Sequence, residues 1–379
     1  MRVWRGPALW LLLAFWLLPG MALAVDTAGV TPDMTELEHS IDEVGQYLGE
    51  YLPGGGLDEL WRQARQGEIE LSPQLFAEAA SQAFTREISG ALALFGQLLT
   101  LSVFTMLLAR FEQKGVGKLA VSVVYLAFMG LAVQVFRLCG DTAGEAVHLM
   151  SDFIYALLPV LLTLLVSLGG ASSVALFNPA LLFAVSVSLH ILRFFVLPLL
   201  YISGALTLFG KLPAGVKLSG LAKLARDLAM GVFTIMLSVF TASLSLLGLS
   251  GAALDGLGFR AVKSASGIFI PVVGRTIADV MDTVVGTALL LKNVIGVAGI
   301  VVLALLCVLP AVKILLLYVC FRLTGALCEP LGDEALAGLL NALAGVVVLF
   351  FAVVAAAAIF FFFLISIIIG MGNIMLALR

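Results

Sequence analysis

The chain has 379 residues, of which 61% are hydrophobic and only 12% charged, with a formal net charge of −3 and a mean hydropathy of +1.13. A soluble globular domain is roughly 45–50% apolar and about 25% charged, and a larger core does not absorb the excess, because a chain of this size must still cover its surface with polar groups. That excludes a water-soluble globular domain and makes lipid the solvent, so an all-α, polytopic integral membrane protein is expected.

Residues 1–24 read MRVWRGPALWLLLAFWLLPGMALA. Arg2 and Arg5 make a basic start, Ala8–Leu18 an apolar core, and Ala22-Leu23-Ala24 a small-x-small cleavage site. This pattern predicts a secretory signal peptide. The alternative is an uncleaved first membrane helix; Pro19-Gly20 just before the cleavage site favours removal.

Residues 25–88 form an acidic extracytoplasmic helical segment. Between Val25 and Glu87 thirteen Asp and Glu residues face only Arg62, Arg65 and Arg86, so the rest of the chain is net basic. An acidic amino-terminal segment on a basic membrane body places the two in different compartments. Within Met34–Tyr51, the residues Leu37, Ile41, Val44, Tyr47 and Leu48 recur at helical spacing. Pro53-Gly54-Gly55-Gly56 then makes a turn, and Ser72-Pro73 opens a second helix through Phe76 and Phe84.

Residues 89–379 are a multi-spanning membrane domain. Apolar runs near the roughly 20 residues that span a bilayer fall at Ser89–Ala109, Leu119–Leu138, Phe153–Leu168, Leu176–Leu192, Phe194–Phe209, Ala229–Leu249, Val294–Phe321 and Leu343–Ile369. Gly169–Ser173 and Arg193 divide Phe153–Phe209 without a comfortable loop, so three short spans or a re-entrant pair plus one span both fit. The expected count is therefore six to eight. Arg110, Lys114 and Lys118 after the first span, and the basic Lys211, Lys217, Lys223 and Arg226, read as cytoplasmic. Asp141, Glu145 and Asp152 after the second span read as external.

Ionisable residues inside apolar sequence are candidate functional groups, because their burial in lipid is costly. His190 and Arg193 occur together in Ser-Leu-His-Ile-Leu-Arg, where Arg193 either serves a site or snorkels to an interface. Lys313 follows Leu309-Pro310, whose freed carbonyls a lysine could satisfy; a pore-lining, interhelical or purely structural role fits it. Residues 260–293 read as an amphipathic or re-entrant segment, in which Pro271 and Gly274 interrupt the helix. Asp279 and Asp282, three residues apart, share a helix face, but Arg275 lies four residues before Asp279 and can neutralise it. With no nucleophile motif nearby, these charges suit a passage or a partner contact better than catalysis.

Cys139, Cys307, Cys320 and Cys328 lie in apolar runs without a Cys-x-x-Cys, and His39, His148 and His190 are scattered. No metal, cofactor or catalytic residue is expected. There is no phosphate-binding Gly-x-x-x-x-Gly-Lys-Ser/Thr, no His-Glu-x-x-His and no Gly-x-Ser-x-Gly. The basic loop is short and juxtamembrane, which argues against nucleic acid.

Four groups of residues carry a family resemblance: Ile270-Pro271-Val272-Val273-Gly274, Asp282-Thr283-Val284, Lys292-Asn293 with Gly296, and Glu329-Pro330-Leu331-Gly332-Asp333. Together with the signal peptide and the acidic outer segment, they resemble the stage III sporulation protein AE family. The resemblance implies a permease-like component of a secretion-type channel, or feeding tube, between mother cell and forespore. Such a channel is needed for forespore development and late forespore transcription. It implies placement in the mother-cell membrane engulfing the forespore, with the acidic segment in the intermembrane space. The implied partners are the other stage III sporulation membrane proteins of the same operon, a forespore membrane partner and the lipid bilayer. Arg275, Asp279, Asp282, Lys292, Lys313, Arg193 and His190 are the candidate pore or partner-contact residues. The alternative function is a secondary transporter working alone, since Pro/Gly-interrupted segments build transport sites; an intramembrane enzyme is the third possibility weighed.

Overall fold

In hydrocarbon an unpaired backbone N–H or C=O has no water to turn to, so a spanning segment of about 20 apolar residues closes its hydrogen bonds within a helix. The computed structural model of the chain describes residues 35–48, 73–111, 117–167, 186–210, 218–242, 271–330 and 333–377, and every regular element among them is helical. These are α1 (Thr35–Leu48), α2 (Pro73–Phe111), α3 (Gly117–Ser167), α4 (Ser186–Phe209), α5 (Ser219–Ala242), α6 (Pro271–Cys328) and α7 (Glu334–Ala377). Six of them, α2 to α7, are long and apolar enough to cross a membrane. The predicted signal peptide, the Pro53–Gly56 turn, the Gly169–Ser173 connection and residues 260–270 lie outside the described residues.

The spacing of Leu37, Ile41, Val44 and Leu48 gives α1 one apolar stripe, which is buried, chiefly against α3. Its acidic Glu36, Glu38, Asp42 and Glu43 stay exposed.

Three helices differ from expectation. Leu119–Leu138 and the described part of Phe153–Leu168 are not separate: both belong to the single 51-residue α3. Asp141, Glu145 and Asp152 therefore do not occupy a loop. With Arg137 and His148 they are spaced by four, four, three and four residues and share one face of α3. Phe136, Cys139, Ala143, Val147, Met150 and Phe153 are buried on the other side. Charges at helical period leave the backbone ladder intact, so they need no break in the helix.

Arg193 likewise marks no boundary. Leu192–Val196 forms a π-helical turn, and the helix runs on to Phe209, so the described part of Leu176–Leu192 is continuous with Phe194–Phe209. In α6, Val294–Phe321 is the interior of a 58-residue helix that starts at Pro271. Proline suits a first helical position, where its missing N–H has no intrahelical partner to lose. Pro271 thus begins the helix instead of interrupting it, and the described part of the 260–293 segment is continuous with the span.

α6 and α7 form an antiparallel hairpin: Lys292 meets Ile369 at one end and Arg322 meets Asn341 towards the other. α2 runs parallel to α6, with Glu87 beside Lys313 and Ala91 beside Cys320. α4 runs antiparallel to α3, through Ser186 with Tyr155 and Tyr201 with Asp141. α5 packs on α4 and α7, through Ser203 with Ala222 and Phe240 with Phe360.

The membrane-length stretch of α3 has 46 residues, and those of α6 and α7 have 37 each. At 1.5 Å per residue these are about 69 Å and about 55 Å, against a hydrocarbon core of about 30 Å. Tilt in the usual range does not absorb that excess.

Candidate functional site: the cations of α6 and their partners

Lys292 is completely buried, a position that in an apolar bundle demands acceptors for its ammonium. Its Nζ donates to the main-chain oxygens of Ile369 at 2.8 Å and Ile368 at 3.4 Å, tying the start of the α6 span to the far end of α7. Gly296, one turn further on, makes this approach possible, because a Cβ there would overlap the Ile369 side chain. The neighbouring Asn293 Oδ1 is buried and has no hydrogen-bond partner among the described residues.

Lys313 lies 21 residues along α6, about 31 Å away at helical rise. Its Nζ is 3.8 Å from Glu87 Oε1 of α2, with the two side chains 30% and 20% exposed. A carboxylate therefore faces this lysine, in addition to whatever carbonyl Pro310 frees. On the same side of α6 the Cys320 thiol donates to Ala91 O at 3.2 Å, so α2 and α6 are held at two levels.

His190 and Arg193 are both exposed on α4, and the His190 ring lies against Phe194 with centroids 5.0 Å apart. Arg275, Asp279 and Asp282 sit in the first turns of α6, which places the two aspartates about one turn apart; their side chains lie outside the described residues. The candidate residues with described side chains do not converge on one point. Lys292 and Lys313 bracket a helix, and His190 and Arg193 belong to another.

The sequence reading missed a polar-aromatic knot between α3, α4 and α7. Tyr201 Oη donates to Asp141 Oδ1 at 2.6 Å. The Tyr201 ring packs edge-on against Phe136 and against Phe350, with centroids 6.1 Å and 5.4 Å away. Gly140 and Gly204 make room: a Cβ on the first would overlap Tyr201, and on the second Phe136. Small residues at helix contacts are the available signal in sequence.

The turn between α6 and α7 explains one of the residue groups singled out above. Asp333 Oδ1 accepts the Leu336 N–H at 3.0 Å and so caps the start of α7. Arg322 Nη1 donates to Asn341 Oδ1 at 2.8 Å, bracing the same end.

The chain is similar to known proteins along nearly its whole length. Residues 56–372 match the family profile described as Stage III sporulation protein AE. The protein called Stage III sporulation protein AE in Bacillus subtilis (strain 168) is 32% identical over an alignment 392 positions long, which covers 97% of this chain and 98% of that relative. No solved structure matches the chain. The match spans both the α6–α7 hairpin and the helices packed on it, and the chain belongs to the stage III sporulation protein AE family.

Proposed function

We propose that this chain is a non-enzymatic, multi-pass component of a channel assembly joining mother cell and forespore. Family membership supports a role in sporulation. The observation that carries the finer reading is the engagement of the α6 cations: Lys292 and Lys313 each tie α6 to a neighbouring helix, at levels about 31 Å apart along α6. Such ties build a rigid wall or scaffold, which suits a part that acts with other sporulation membrane proteins. In this reading it sits in the mother-cell membrane that engulfs the forespore, with α1 in the intermembrane space. Its partners are the stage III proteins of its operon and a forespore membrane protein.

The test is a strain lacking the gene, scored for forespore volume and for a late forespore transcription reporter. Small forespores without late transcription are expected. Full-sized forespores with normal late transcription would overturn the proposal. Purified protein in liposomes separates the assembly from a transporter acting alone: solute flux without partners would favour the transporter.

A further inference from the structure

Helices α4, α5 and α7 line a half-open cavity of about 170 Å³. Lys223 and Arg226, close to one turn apart on α5, line it together with the hydroxyl-bearing Thr207 and Ser219, while Ala342 and Val346 of α7 supply an apolar wall. No Asp or Glu is among its described lining residues. Its charge is therefore uncompensated from within.

The two cations are available to an anion. Arg226 Nε is 3.8 Å from Asp227 Oδ1, with both side chains more than a third exposed; a long, solvated pair of this kind holds little. Lys223 has no carboxylate within ion-pair distance among the described residues. An arginine fork binds phosphate oxygens in pairs, and a lysine adds a point charge.

The surroundings select the source of the anion. α4 and α5 are both of membrane-spanning length. At the ends where the cavity lies, they expose Phe209, Leu221 and Leu224. A free anion makes no use of that apolar surface, whereas a lipid covers it with its acyl chains. Basic pockets between membrane helices commonly receive acidic headgroups.

We propose that this cavity binds the phosphate headgroup of an anionic glycerophospholipid, with Lys223 and Arg226 taking the phosphodiester. The bound lipid would lie beside α5 and fasten the α4–α5 hairpin to α7 through the headgroup. This inference does not depend on the channel reading, since any membrane role leaves the site intact.

The purified full-length chain in detergent, titrated with phosphatidylglycerol or phosphatidylcholine and read by native mass spectrometry, tests it. Phosphatidylglycerol is expected to give the dominant lipid adduct. The K223Q/R226Q variant should weaken that adduct by at least about tenfold, the scale of losing hydrogen bonds to charged groups. Ala342→Leu fills the cavity without touching a charge and should weaken it as well. Both cations are solvent-accessible, so a circular dichroism melt of K223Q/R226Q is expected to match the parent. Equal binding of phosphatidylcholine, or an adduct unchanged by both variants, overturns the proposal. Displacement of the lipid by millimolar inorganic phosphate, with phosphate retained in its place, would identify a free-anion site and overturn the lipid assignment.

Discussion

Lys292 of α6 and Ile369 of α7 are joined by a 2.8 Å hydrogen bond from a fully buried ammonium to a main-chain oxygen. The acceptor is a dipole, with no carboxylate opposite among the described residues, so the charge itself contributes little net stability after desolvation. Lys292→Met keeps the side-chain length and removes the charge. It is expected to change stability by less than about 1.5 kcal/mol. Lys292→Glu sets a carboxylate against two carbonyl oxygens and is expected to cost at least about 3 kcal/mol. Melting midpoints of the detergent-solubilised proteins, with immunoblots of membranes, separate these outcomes. If the methionine variant also fails to accumulate, the hydrogen bond holds the hairpin and the packing does not.

The Lys313–Glu87 pair makes a different demand. At 3.8 Å and partial exposure, its coupling should be about 0.5–1 kcal/mol. Glu87→Lys and Lys313→Glu should each lower the melting midpoint, and the exchanged double variant should recover most of the loss. A double variant as unstable as the sum of its parts would mean that the two groups do not interact.

Gly204 admits the Phe136 ring into the contact between α3 and α4. Gly204→Ala should destabilise by about 1–3 kcal/mol through overpacking. Shortening the ring with Phe136→Leu in the same chain should restore part of it, since residues in contact are not additive. Additive losses in a thermal-melt cycle would contradict the packing described here.

The charged stripe of α3 should meet water. Glu145 is exposed on that stripe, whereas Ala146 is fully buried beside it. In intact vesicles of the correct orientation, Glu145→Cys is expected to react with a membrane-impermeant maleimide and Ala146→Cys is not. An unreactive Glu145→Cys would place the stripe against lipid or a protein partner.

Much of the architecture was legible without a structure. The α1 stripe and the Pro73 helix start come from spacing and cap chemistry, which are local. Span boundaries were less legible for a physical reason. Window hydropathy dips at Arg137–Asp152 and at Arg193, and a dip looks like a loop whether or not the backbone breaks. In α3 the charges occupy one face and in α4 a π-helical turn carries the arginine, so both helices pass through. Ionisable residues in apolar sequence were singled out because burying them is costly; among those with described side chains, Lys292 is the deeply buried one, Lys313 has a carboxylate beside it, and His190 and Arg193 are exposed.

Composition by itself determined the solvent, since a chain that is 61% hydrophobic and 12% charged suits lipid, and apolar runs near 20 residues determined the fold class, because that length spans a bilayer as helix and not as barrel strand. The same local chemistry determined where α1 puts its apolar face and how Asp333 caps α7. The tertiary structure alone decided which helices are neighbours and what each buried polar group touches. Lys292 and Ile369 are 77 residues apart, and Tyr201 and Asp141 are 60 apart. Contacts over such separations follow from packing shape, with Gly140, Gly204 and Gly296 deciding where two helices can approach. Hydropathy carries no record of that shape, because in lipid every outward-facing apolar side chain is equally content.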